Sequence, residues 1–289
     1  MIYDYLIAGV HLRCLLPFEL HIEAESREFL LSEGLSQEAP DCVFSMESVE
    51  RLPKPAEGYT LVNTRFCRNS ESETVWHYPG PGREPYARIL WQVSNPRLLL
   101  GQYLSAFERH VSYSGDIINL LSLESLLLRF DGLLLHAAFA EAEGKGILFA
   151  GPSGIGKSTQ ARLWQENCAA RILNGDRAAL RKKSGAWWAW GLPYAGSSAI
   201  YRNEAAPLAA IVLLEQSREN SLRSLGPSEA LRRLYPELML HRWDKVFLEK
   251  ALDLAEDLLC AVPVWCLRCR PDAEAVEVLK ETLKKEGRL

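Results

Sequence analysis

The stretch GILFAGPSGIGKSTQARLW, residues 146–164, sets an apolar run against three glycines, a lysine and two hydroxyl residues. Gly151 to Ser158 fits G-x-x-x-x-G-K-[ST], the pattern of a phosphate-cradling loop between a strand and a helix. Gly151, Gly154 and Gly156 permit backbone angles that a side chain forbids. Successive N–H groups can then point inward as an anion nest, and the helix that follows adds its positive N-terminal end. On this reading Lys157 is a cation for the outer phosphates and the Ser158 hydroxyl is a ligand for Mg²⁺. Ser153, Ile155 and Thr159 complete the expected nucleotide-contacting set. The alternative is a glycine-rich structural turn with a solvated lysine.

A metal beside phosphates needs a carboxylate, and the nearest downstream is Asp176 in RILNGDRAAL, residues 171–180. A helix of about 10 residues after the loop is about 15 Å long, and the chain then returns as a strand. Asp176 is therefore expected at a strand's carboxyl end, where α/β sites form. Against this, Asn174-Gly175-Asp176 also reads as a plain turn. Glu215, ending AIVLLE, is a second metal candidate that reads better as a strand-end surface residue. His136 lies in GLLLHAAFA, and EGKG at 143–146 reads as a hairpin turn. Pairing about that turn brings His136 level with the start of the loop, where an imidazole suits proton transfer or a phosphate contact. Cys266 and Cys269 form a C-x-x-C with no second pair for zinc, and on a strand their side chains face opposite ways. Trp187, Trp188 and Trp190 read as a hairpin packing surface.

The whole chain has 289 residues, 48% apolar and 24% charged, with a net charge of −4. That size suggests about two domains. With no basic run, neither a nucleic acid nor an anionic membrane is an expected partner. Seven cysteines, an odd and scattered set, fit a reducing cytoplasm rather than a disulfide framework. The start lacks a basic n-region and reads as no signal peptide, and no apolar run is long enough to suggest a transmembrane helix.

Residues 1–96 read as a β-rich N-terminal domain. Its expected strands are YDYLIAGVHLRCLLP, DCVFSM, YTLVNTRFCR, TVWHYP and ARILWQVS, with a turn at 78–85. Residues 97–289 read as an α/β nucleotide-binding domain that opens with helix over 97–131, closed by Gly132. Strands are expected at 171–174, 178–182, 186–190, 207–216 and 262–269. Helices are expected near 157–167, 227–235, 244–262 and 273–287.

The stretch LLLHAAFAEAEGKGILFAGPSGIGKSTQARL with RILNGDRAALR, within residues 132–182, resembles the C-terminal catalytic domain of HPr kinase/phosphorylase. Residues 191–285 look more loosely like HPr-kinase-related proteins associated with peptide-modification gene clusters. The resemblance implies a phosphoenolpyruvate carboxykinase-type mixed-sheet P-loop fold, ATP and Mg²⁺ as cofactors, and phosphorylation of a serine-like hydroxyl. His136, the loop and Asp176 fall on family positions. Gly175 stands where the kinases carry a further aspartate, and Ala137 where they carry glycine. The implied chemistry places Lys157 at the γ-phosphate, Ser158 and Asp176 on the metal, and Asp176 or His136 at the hydroxyl proton. The acceptor is a peptide, protein or small molecule, and a homo-oligomer is compatible with the pattern. A nucleotide-binding adaptor that presents a peptide is the alternative Gly175 favours, and a small-metabolite P-loop kinase is a third reading. No N-K-x-D string supports a GTPase.

Overall fold

The computed structural model describes residues 1–31, 39–53, 60–63, 66–68, 72–80, 82–92, 94–194 and 196–289. The chain forms two compact units, Met1–Arg129 and Phe130–Leu289. This division falls later than the boundary expected at 96/97. Leu98–Leu104 is a strand and completes the first unit's sheet, where the sequence reading had placed helix. Its burial alternates residue by residue, as a half-buried strand requires.

The first unit contains β1 (Ile2–Ile7), β2 (Val10–Leu15), α1 (Ala24–Arg27), β3 (Cys42–Val49), β4 (Thr60–Asn63), β5 (Phe66–Arg68), β6 (Ser72–His77), β7 (Ala87–Gln92), β8 (Leu98–Leu104), α2 (Ser114–Leu121) and α3 (Leu123–Arg129). Its sheet runs β1-β2-β3-β8-β7-β6-β5-β4 among the described residues. The run expected as one strand over 3–17 is a hairpin. Ala8 and Gly9 turn the chain with φ of +50° and +73°, the left-handed pair that suits a two-residue hairpin loop. Within 97–131 a 3-10 turn of helix at Ser105–His110 follows β8, and α-helix is confined to α2 and α3. Asp131, at φ +55°, turns the chain out of α3, and Gly132 opens the next strand.

The second unit contains β9 (Gly132–Ala142), β10 (Lys145–Ala150), α4 (Lys157–Cys168), β11 (Arg171–Asn174), β12 (Arg177–Lys183), β13 (Ala186–Trp190), β14 (Ala205–Gln216), β15 (Ser221–Leu225), α5 (Pro227–Leu234), α6 (Lys245–Ala261), β16 (Val264–Cys269) and α7 (Ala273–Lys285). It is a mixed α/β unit. The strands expected at 171–174 and 186–190 form over those residues, and β15 is an addition the pattern did not announce. Asp244 and Asp272 cap α6 and α7 by accepting backbone N–H groups.

Two long strands organise this unit. β9 pairs with β12 through residues 132–136 and with β10 through 137–142. β14 pairs with β13 at its start, then runs parallel to both β10 and β16. Both long strands are nearly continuous apolar runs, as strands covered on both faces must be. On one face α4 and α7 bury Phe149, Trp164, Val212, Leu267, Val276 and Leu279. On the other, α5, the segment after it and α6 meet Leu135, Leu180 and Ile211 through Leu234, Leu238 and Leu258 respectively. The parallel strands β10, β14 and β16 point the same way, so the loop after β10 emerges at their carboxyl ends. Among the described residues no helix is long and apolar enough to cross a membrane.

Phe149 is fully buried immediately before the glycine-rich loop. Phe149→Ala is expected to destabilise the unit by about 3–5 kcal/mol, read as a lower midpoint in urea unfolding.

Candidate functional site

The glycine-rich segment adopts the backbone its composition calls for. Gly151, Gly154 and Gly156 have φ of +140°, +79° and +114°. A Cβ at Gly154 or Gly156 would meet nothing within 4 Å, so at these two positions backbone geometry rather than space demands glycine. Ile155 covers Gly151 and packs against the core, while Ser153 and Ser158 are exposed and Thr159 is half-buried. No side chain caps α4, whose N-terminus follows directly on Gly156. Its first-turn N–H groups are thus left for an anion.

Lys157 is buried, 8% exposed. Its Nζ donates to the carbonyls of Gly151 at 2.7 Å and Pro152 at 3.2 Å, folding the side chain back along its own loop. Burial lowers its pKa from the ordinary lysine value, and the charges of Glu237 and Asp176 oppose that shift.

Asp176 stands on a turn built by Asn174. The Asn174 side chain is fully buried; its Oδ1 accepts the N–H groups of Asp176 and Arg177 at 2.9 and 3.0 Å. Its Nδ2 donates to the carbonyls of Leu192 and Tyr194, both at 2.9 Å. The turn reading holds, and the turn fixes the backbone on which the Asp176 carboxylate stands. Arg177 pairs with Asp176 at 3.0 Å and lies over the Tyr194 ring at 4.6 Å. A Cβ at Gly175 would lie 2.0 Å from Ser198 Oγ, so that segment leaves no room for a second acidic side chain beside Asp176.

The hairpin forms where expected, with a turn tighter than EGKG at 143–146, since Lys145 and Gly146 already belong to β10. Glu143 and Gly144 form the two-residue turn, and Ala137 pairs with Ala150. His136 therefore stands opposite the start of the loop. Its Nδ1 is 2.9 Å from Glu237 Oε2, and its Nε2 is 3.9 Å from Asp176 Oδ1. Lys157, Asp176 and His136, three sequence candidates, share one locus with Glu237, which the sequence reading missed. Glu237 follows α5 in a stretch with no periodicity, and nothing local marks it. Asn174 was noticed only as a turn former.

Glu215 is engaged by arginines: it pairs with Arg233 and with Arg268, and its pKa is lowered, with burial opposing and the Arg233 hydrogen bond favouring the charged form. That is a structural ion pair. Cys266 is buried and Cys269 half-buried, both free. Trp187 is buried and bonds Asp257, while Lys183 lies over Trp188 and Trp190.

Among the described residues no three His, Cys, Asp or Glu side chains gather as a metal cage. Mg²⁺ bound with nucleotide phosphates takes only one or two protein oxygens. The Ser158 hydroxyl and the Asp176 carboxylate are oxygens of the kind that ion takes.

No curated protein matches this sequence significantly. Among solved structures, the Hpr(Ser) kinase/phosphatase from Coxiella burnetii is similar over 54% of this chain and 90% of its own, at 14% identity and a TM-score of 0.30. A likeness of that degree leaves fold and function to be argued from the residues above. A family model described as SynChlorMet cassette protein ScmC matches residues 117–270, just over half of the chain. By the extent of that match, the chain belongs to the ScmC family.

Proposed function

We propose that this protein binds Mg–ATP on residues 151–159 and transfers the γ-phosphate to a serine-like hydroxyl of a peptide, protein or small molecule. The observation that carries the reading is the convergence of three positive-φ glycines and a buried lysine with Asp176 and His136. Phosphoryl transfer asks little covalent chemistry of a protein and much positioning and charge. Gly151, Ser153, Gly154, Ile155, Gly156, Lys157, Ser158 and Thr159 supply the backbone and side-chain contacts to the nucleotide. Lys157 leaves its loop carbonyls for the phosphates, which restore the charge partner that burial denies it. Ser158 and Asp176 hold the metal, whose chemistry is to neutralise charge on the transferring group. Asp176 and His136 are the groups placed to receive the hydroxyl proton. Membership of a cassette family supports an acceptor supplied by a neighbouring gene, such as a small peptide.

A second reading, an adaptor that binds nucleotide without transferring phosphate, is favoured by Gly175 and the Ser198 side chain beside it. Product formation separates the two.

Lys157→Ala is expected to abolish the calorimetric heat of Mg–ATP binding; unchanged affinity would remove the nucleotide site. Gly156→Ala places a side chain at φ +114°, a strain of roughly 1–3 kcal/mol. Nucleotide affinity is expected to fall by about tenfold or more while the fold persists in circular dichroism. Asp176→Ala is expected to leave metal-free ATP binding in place and to lower phosphorylated product by about 10²-fold or more. A wild-type chain that binds Mg–ATP yet phosphorylates no hydroxyl among serine peptides and small alcohols favours the adaptor.

A further inference from the structure

Glu237 is a buried carboxylate, 7% exposed, set 101 residues away in sequence from the histidine it bonds. It is fixed twice over. Its side chain meets His136 Nδ1 at 2.9 Å, and its backbone carbonyl accepts the His136 N–H at 2.9 Å. Leu238 bridges Leu135, and the Met239 N–H donates to the Leu134 carbonyl at 2.9 Å. Residues 237–239 thus close the free edge of β9 where β10 has not yet begun to pair. An irregular segment makes a single β-bridge at the place that brings a carboxylate to His136.

The consequence is chemical. A carboxylate accepts only, so the imidazole nitrogen facing Glu237 must be the donor. A neutral imidazole has a single N–H, which leaves Nε2 with its lone pair free. Nε2 faces Asp176 Oδ1 at 3.9 Å, too far for a direct hydrogen bond. An oxygen about 2.8 Å from each fits at the apex of that pair. Gly175 offers no carboxylate for the task. The charged groups around His136 are Glu237, Asp176, Arg177, which is its cross-strand partner on β12, and Lys157 near both acids.

We infer that Glu237 is a positioning residue: it holds His136 in the Nδ1–H tautomer with Nε2 turned to the acceptor hydroxyl. The inference rests on the kinase reading and deepens it. In the step, the hydroxyl oxygen forms a bond to the γ-phosphorus as the bond to the β–γ bridging oxygen breaks. ADP leaves with that electron pair, and the hydroxyl proton passes to Nε2. The imidazolium so formed lies against the Glu237 carboxylate, and its proton is returned to solvent after product departs.

The test uses the full chain labelled with ¹⁵N-histidine, with spectra taken over a pH series so that one-N–H and two-N–H forms of the ring are told apart. His136→Gln identifies the His136 signals by their loss. The wild type is expected to show a protonated Nδ1 and an unprotonated Nε2, and Glu237→Ala to lose that preference. With water as the acceptor probe, ATP hydrolysis by Glu237→Ala is expected to fall by about 10²-fold in kcat with KM for ATP nearly unchanged. In the His136→Gln background the same substitution should cost little more, because it acts through a side chain already absent. Glu237→Asp, which keeps the charge, serves if Glu237→Ala does not fold; it should retain the tautomer and part of the activity. An Nε2–H tautomer in the wild type overturns the inference, as does a full further loss in the double variant, or a KM rise matching the loss of rate. A wild-type chain that binds no Mg–ATP sinks the kinase reading and this role with it, whereas Mg–ATP binding with the wrong tautomer sinks the positioning alone.

Discussion

Residues 134–137 of β9 are hydrogen-bonded along both edges. On one edge the Ala137 N–H donates to the Asp176 carbonyl, and His136 pairs with Arg177. On the other, Ala137 pairs with Ala150 while the His136 and Leu134 backbones bond residues 237 and 239. The glycine-rich loop, the Asp176 turn and the Glu237 segment are far apart in sequence, and this short piece of strand sets the position of all three. A one-residue slip in either pairing would move every side chain to the opposite face. The apolar residues on both faces of β9 resist such a slip, since each already has its own layer of helices to fill.

Electrostatics follows from that placement. Lys157 and Glu237 are buried, and each would be costly alone. Together with Asp176 and Arg177 they form a group of two cations and two anions around a histidine. The ammonium of Lys157 is held by carbonyls of its own loop, weaker partners than phosphate oxygens, and burial has already lowered its pKa. A polyanion at the loop would therefore improve the solvation of a group the fold has partly stripped of water. Asn174 makes a complementary contribution. By saturating its amide with two carbonyls and two N–H groups, it freezes the turn on which Asp176 stands.

Much of this was readable in advance because it is local. The spacing of Gly151, Gly154, Gly156, Lys157 and Ser158 states its own backbone requirement, and the two-residue loop Glu143–Gly144 fixes the register of β9 on β10. Hence the position of His136 relative to the loop followed from counting. Asp244 and Asp272 stand where two of the expected helices begin, and each caps its own by accepting backbone N–H groups. The errors were local too. Leu98–Leu104 is rich in leucine, a good helix former, and while β7 precedes it directly, its other partner β3 lies far away in sequence. Ala8–Gly9 hid a hairpin because alanine is rarely found at positive φ.

What the amino-acid sequence settled by itself was most elements of the second unit and the backbone requirement of one loop, because glycine spacing and tight turns act over a few bonds. What only the tertiary structure decided was the company that loop keeps. Glu237 reaches His136 by closing a strand edge, Ser198 lies against Gly175, and Glu215 is diverted to Arg233 and Arg268. These are contacts between segments with no shared periodicity, and only the pairing of distant strand edges brings them within reach of one another.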